Sequence, residues 1–256
     1  MGSYGTVRSL AELSRGPQAA SEHELRVQLA GTYRLFAYLG WDYLIFGHIT
    51  VAVPGPDKHF LINPFGLRFD EVTASNLVKI DVDANIVEPS KYPVNPAGFF
   101  IHGAIHQARE DAVCVMHTHT TAGMAMAASD TEILPVDFAG SAAHGRVSYH
   151  DFAGVHADAS DCAALVESLG DRNYLLLRNH GLLTCGTSIA RAFQRLYWFE
   201  TACRVQTSAL AMNVPIRKVS ADVAAKHAQV LDGDDGELTL AAMLRLMEKI
   251  DPSFKD

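Results

Sequence analysis

Apolar residues recur at helical spacing from Leu25 through Leu29, Tyr33 and Phe36 to Leu39, behind the capping box Ser21-Glu22-His23-Glu24 and ahead of Gly40. This pattern predicts an amphipathic helix with one face on a core. The period then changes from 3.6 to two. Gly47 to Val53 and His59 to Asn63, separated by the turn Pro54-Gly55-Pro56-Asp57, predict a β-hairpin, and Leu77 to Asp83 a further strand. After a proline-interrupted loop from Pro93 to Gly98, Phe99, His102, Ile105 and His106 share one face of a helix that ends at Arg109, with Glu110-Asp111 as the exit. The run Ala112 to Thr120 reads as a buried strand, followed by a small-residue helix over Ala122 to Ala128. A short strand is predicted over Arg146 to His150, a helix over Asp158 to Leu169 with Gly170 as its stop, and two strands around Gly181. A long helix from Ser188 to about Met212 precedes one or two helices in 218–256, split at Asp232 to Gly236. The expected organisation is a loosely ordered lead-in over 1–20, a domain over 21–215 and a C-terminal helical extension over 216–256.

Chemistry concentrates where the apolar strands end. Side chains alternate across a strand, so His117 and His119 point to one face and can share a metal ion through their imidazole nitrogens. Two ligands do not make a site. A third histidine stands far downstream, at His180, where the apolar run Tyr174-Leu175-Leu176-Leu177 gives way to Arg178-Asn179-His180-Gly181. Core histidines that are each satisfied by a hydrogen bond would produce the same spacing, so both readings stand at this point. His102 and His106, four residues apart, form a further metal-capable pair, although packing of one and lining of the site by the other is the simpler expectation. His59, His156 and His227 are lone and read as surface or packing residues, Cys185 as buried, and Trp198 as core or subunit interface. Asn179 is expected either to orient a ligand or to cap a turn.

Composition narrows the functions available. With 256 residues, 48% of them hydrophobic, the chain can bury a large core, and a formal charge of −8 argues against nucleic acid and against an anionic membrane surface. A small molecule or another subunit is the expected partner. The four cysteines have no C-x-x-C pairing and sit partly in apolar runs, as free thiols in a reducing compartment do. No apolar run approaches a membrane span and the first residues lack the apolar core of a signal peptide, so a cytoplasmic location is expected.

Three motifs together carry a family resemblance: Asn95-Pro96-Ala97-Gly98-Phe99 with His102 and His106; Ala108-Arg109-x-Asp111-Ala112-x-Cys114-Val115-x-His117-Thr118-His119-Thr120; and Leu177-Arg178-Asn179-His180-Gly181-Leu182-Leu183-Thr184-x-Gly186. In this order and at these separations the chain resembles the class II aldolase/adducin superfamily from about Leu25 to Leu210. The resemblance implies a three-layer α/β/α domain around a mainly antiparallel sheet and a homotetramer with active sites at subunit interfaces. It also implies one divalent transition metal per subunit held by His117, His119 and His180, with zinc first and iron(II) or manganese(II) as alternatives. In the sugar-phosphate aldolases of the superfamily a glutamate nineteen residues before the first histidine moves the donor's proton. Here that position is Gly98, the phosphate-binding serines correspond to Pro96 and Ala97, and the phosphate-turn asparagine to His48. The expected chemistry therefore shifts to decarboxylation or retro-aldol cleavage of a small non-phosphorylated hydroxy or oxo acid, with His48, His102 and Tyr149, or His150 beside it, as candidate catalytic groups. Two other readings stay open: an O2-dependent non-haem iron oxygenase of aldolase-like type, and a non-catalytic adducin-like interaction domain. Against the latter, the chain ends in a short mixed-charge segment where adducin carries a long basic tail.

Overall fold

The computed structural model describes residues 21–154 and 159–256. The lead-in over 1–20, His156 and the start of the helix expected at Asp158 lie outside the described residues. A seven-stranded sheet runs through the molecule in the order β3-β2-β1-β4-β7-β6-β5. Its strands are β1 (His48–Ala52), β2 (Phe60–Ile62), β3 (Val78–Ile80), β4 (Cys114–Thr118), β5 (Val147–His150), β6 (Tyr174–Leu177) and β7 (Gly181–Gly186). Every neighbouring pair is antiparallel except β5 with β6, which makes the mixed, mainly antiparallel α/β architecture that the sequence leads one to expect.

Helices cover both faces. On one face α2 (Pro96–Ala108) and α5 (Ala159–Leu169) bury Val115, Leu175, Leu177, Leu183 and Cys185 together with Ile105 and Leu165. The other face is packed by α1 (Glu22–Leu39) and the long α6 (Ile189–Ala211), with α3 (Thr121–Ala127) and α4 (Phe138–Ala143) beside them. Here Tyr33, Phe36, Phe69, Phe193 and Phe199 are fully buried, each stabilising by about 1.5–3 kcal/mol through burial. The capping box forms as written, with the Glu24 amide donating to the Ser21 hydroxyl, and Gly40 ends α1 at φ +69°.

Two departures from the sequence reading affect the site. The helix expected from Phe99 begins at Pro96, because proline fits the first helical position, so Gly98 lies in the first turn. Helix α4 was not anticipated: six residues give no readable period, and its signal is Asp137, whose carboxylate accepts from the Ala139 and Gly140 amides. Beyond α6, α7 (Ala221–Asp232) and α8 (Glu237–Ile250) split near Gly233-Asp234-Asp235-Gly236, as the glycines and aspartates predict. The Arg191 guanidinium ties them to α6 through Asp232 and the carbonyls of Leu231, Asp232 and Asp234. Among the described residues no helix is long and apolar enough to cross a membrane.

Candidate metal centre

Strand register decides which side chains can meet. His48 stands directly opposite His117 across the β1–β4 pair, so both point to the α2 side of the sheet, and Thr50, two residues on, does the same. His119 follows β4 by one residue. His180 is not the end of a strand, as expected, but the last residue of the tight turn joining β6 to β7, and β7 runs antiparallel to β4 with Leu182 opposite Thr118. The turn therefore returns His180 to the end of β4. Asn179 makes the turn possible at φ +56°, a left-handed conformation that asparagine tolerates, and its amide donates to the Ala127 carbonyl. It caps the turn.

The three imidazoles converge. His117 Nε2 lies 2.8 Å from His119 Nε2 and 3.2 Å from His180 Nε2. Three nitrogens at 2.0–2.1 Å from one tetrahedral ion would stand about 3.3 Å apart, so the spacing is close to that of a three-histidine set with its fourth position free. His117 Nδ1 is 2.8 Å from the Leu182 carbonyl, which can only accept, so the proton sits on Nδ1 and the Nε2 lone pair faces the centre. Burial, followed by the neighbouring imidazoles, holds His117 well below the usual histidine range. Burial and His180 lower His119 to about 4, and burial lowers His180. Neutral imidazole is the form that ligates a metal. The donors therefore fit a divalent transition metal in both geometry and protonation.

Close packing fixes this arrangement. A Cβ at Gly181 would lie 2.2 Å from the Thr118 carbonyl oxygen and 3.3 Å from both the His117 and His119 rings, so only glycine lets the turn approach. On the opposite face, the buried Glu200 of α6 accepts from the Thr118 hydroxyl and, at 2.5 Å, from that of Thr120, which brackets His119 with two anchored residues. The sequence reading missed Glu200, because a single acidic residue in a long helix gives no signal of what it faces. Burial pushes its carboxyl up, against the pull of the two threonines. Exposed aromatics flank the centre: the Tyr43 ring is 5.5 Å from His119 and that of Phe152 is 5.8 Å from His180.

The other candidate residues divide. His48 and His102 lie beside the triad, their ring centroids 4.1 Å apart, with His48 edge-on to His117 at 5.9 Å. Both are buried, and Nε2 of each has no hydrogen-bond partner among the described residues. A Cβ at Gly98 would sit 3.0 Å from Cε1 and Nδ1 of His48, so the His48 ring fills the room a side chain at position 98 would need. Tyr149 is not brought into this group. It pairs with Leu176, which pairs with Leu182, opposite Thr118, and this series puts it on the face away from His117. Its hydroxyl accepts from the Ile133 amide, and the Arg178 guanidinium stacks on its ring. His150, on the triad's side, lines a cavity with His180, Ile101 and Phe152 and is 3.0 Å from the Ser168 hydroxyl. Cys185 is buried beneath the α2 face, and Trp198 packs on Phe138.

A sheet flanked by helices, with three histidines gathered where β4 meets the β6–β7 turn, defines a class. The chain belongs to the class II aldolase and adducin N-terminal domain family, whose profile matches residues 27–207. It resembles an aldolase II superfamily protein from Pseudomonas syringae, with 41% identity and a TM-score of 0.87 over 96% of this chain and 99% of that one. Its likeness to L-fuculose 1-phosphate aldolase from Glaciozyma antarctica has a TM-score of 0.86 at 28% identity, again over 96% of this chain and 99% of that one. It is also 42% identical to alpha-adducin of Rattus norvegicus over 193 residues, which are 74% of this chain and 26% of that protein.

Proposed function

We propose that this protein is a metal-dependent carbon–carbon lyase that acts on a small, non-phosphorylated hydroxy or oxo acid by decarboxylation or retro-aldol cleavage. The observation that carries the reading is the convergence of His117, His119 and His180 on one point beside a flanking pair of buried histidines. The three Nε2 atoms hold one divalent metal, zinc first. When bound, that ion acts as a Lewis acid for negative charge developing on a substrate oxygen. The chain's own residues do the rest. Tyr43 and Phe152 offer apolar ring surface to the substrate, and His48, with the tilted His102 ring packed against it, stands where position 98 would otherwise place a side chain and exchanges the proton. Burial brings His48 to about 3 and holds His102 well below the ordinary range, so both are neutral at neutral pH, each with one unprotonated ring nitrogen. With glycine at 98 and histidine at 48, a phosphosugar donor is disfavoured. A homotetramer in which neighbouring subunits cover the exposed Tyr43, Leu44 and Phe46 completes the proposal.

The identity to alpha-adducin favours a second reading, a non-catalytic interaction domain. The two are separated by purifying the chain, measuring its bound metal, and assaying CO2 or aldehyde release from a panel of hydroxy and oxo acids. About one transition metal per subunit and turnover that is lost in His117→Ala support the lyase. A metal-free, folded protein inert on the whole panel supports the interaction domain.

A further inference from the structure

Beside the triad, Thr50 links two histidines of α2. Its hydroxyl oxygen is 2.8 Å from His102 Nδ1 and 2.7 Å from His106 Nε2, and His106 Nδ1 is 2.6 Å from the Ala112 carbonyl oxygen. All of these side chains are buried, and the His106 ring stacks on Phe60 at 4.5 Å. The direction of each bond follows from the carbonyl end. A carbonyl only accepts, so His106 Nδ1 carries a proton. His106 is neutral, because burial lowers it to about 4, so its Nε2 is a lone pair. Thr50 must therefore donate its one proton to His106 Nε2, and its oxygen can only accept from His102 Nδ1. A neutral ring protonated at Nδ1 has a bare Nε2, and that atom of His102 has no partner among the described residues.

We infer that Thr50 and His106 form a one-way hydrogen-bond relay, anchored on the Ala112 carbonyl, that holds His102 as the Nδ1–H tautomer and leaves its Nε2 a free proton acceptor beside the metal centre. Thr50 and His106 are thus positioning residues: neither belongs to the triad, and both act through His102. What the free nitrogen accepts rests on the lyase reading; that it is free does not. When Nε2 takes a proton, the charge on His102 is delocalised toward an already aligned series of acceptors, so no side chain has to turn.

The test is nitrogen-15 NMR of the full chain with labelled histidine, loaded with diamagnetic zinc, the His102 signals being assigned from a His102→Asn spectrum. The expected result is a one-bond N–H doublet at His102 Nδ1 and an unprotonated shift at Nε2. Thr50→Val should abolish the Nδ1–H doublet and move the proton to Nε2 while zinc stoichiometry holds, and Thr50→Ser should restore the wild-type pattern. A wild-type His102 protonated at Nε2, or an unchanged tautomer in a folded Thr50→Val protein, overturns the relay. The wild-type spectrum decides the matter if Thr50→Val does not fold. Because this readout does not involve turnover, a correct tautomer in a protein without lyase activity would defeat the catalytic reading and leave the relay standing.

Discussion

A pair of histidines and a triad lie on the same side of one sheet, and they are built on opposite principles. In the relay group, His102, Thr50, His106 and the Ala112 carbonyl alternate donor with acceptor, so every atom from His102 Nδ1 to the carbonyl is paired and only His102 Nε2, at the end of the chain, is left open. In the triad, three Nε2 atoms face each other at 2.8 and 3.2 Å from His117, and the His117 lone pair is committed to the centre by the Leu182 carbonyl behind it. Imidazole nitrogens that converge can share a cation, whereas lone pairs that alternate with protons have no need of one. The contrast is the one expected between a candidate ligand set and hydrogen-bonded core histidines, and the spacing of histidines along the chain could not draw it.

The sharpest way to break the comparison is to remove one ring from each group. His117→Ala should take bound metal from about one per subunit to near zero, whereas His106→Leu should keep full metal and lose roughly 1–3 kcal/mol of stability for the unsatisfied Thr50 and Ala112 groups. Elemental analysis together with urea unfolding reads both. Equal metal loss in the two variants would merge the groups and undo the distinction.

Next in size is the backbone approach that closes the triad. Gly181→Ala brings a methyl group to 2.2 Å from the Thr118 carbonyl and should cost roughly 1–3 kcal/mol while weakening metal retention, measured by competition with a chelator. Full retention would mean that the turn has slack the packing denies it.

Acid sensitivity probes the relay group. His106 stays neutral in the fold down to about 4, whereas in the unfolded chain it titrates near 6.5. At pH 5 the unfolded state therefore binds the extra proton, and stability falls as the pH drops from 7 to 5, by about 2 kcal/mol for this ring alone. Urea midpoints of metal-free protein at the two pH values should differ less in His106→Gln than in the wild type. The smallest effect is expected at Tyr149→Phe, which loses one acceptor for the Ile133 amide, about 1 kcal/mol, and leaves metal content unchanged because the ring is on the other face.

These outcomes reflect what a sequence can and cannot reveal. The His-x-His pair was legible because alternation along one strand fixes its geometry locally, and α1 was legible because its capping box and apolar stripe are local too. His180 was suggested by a second apolar run ending in histidine and strengthened by the family resemblance, but how it converges was not legible, since that depends on a turn led by a left-handed Asn179 and a side-chain-free Gly181. Tyr149 was attractive for its neighbourhood in the chain, but its face is set by register across three strand pairings, which no short motif encodes. Thr50 looked like an ordinary β-branched strand residue between Ile49 and Val51, and its role emerges only when α2 sets two imidazoles above it. Helix α4 and Glu200 escaped for a similar reason: one turn of helix and one buried acid leave no period to read.

Anomalous diffraction from crystals of the purified protein, collected across the zinc, iron and manganese edges, tests the account most directly. It predicts one peak per subunit, bonded at about 2.0–2.2 Å to Nε2 of His117, His119 and His180, with open coordination toward Tyr43 and Phe152. A metal-free centre whose rings have turned apart to hydrogen-bond elsewhere, or a metal bound at His48, His102 or His106 instead, would contradict it.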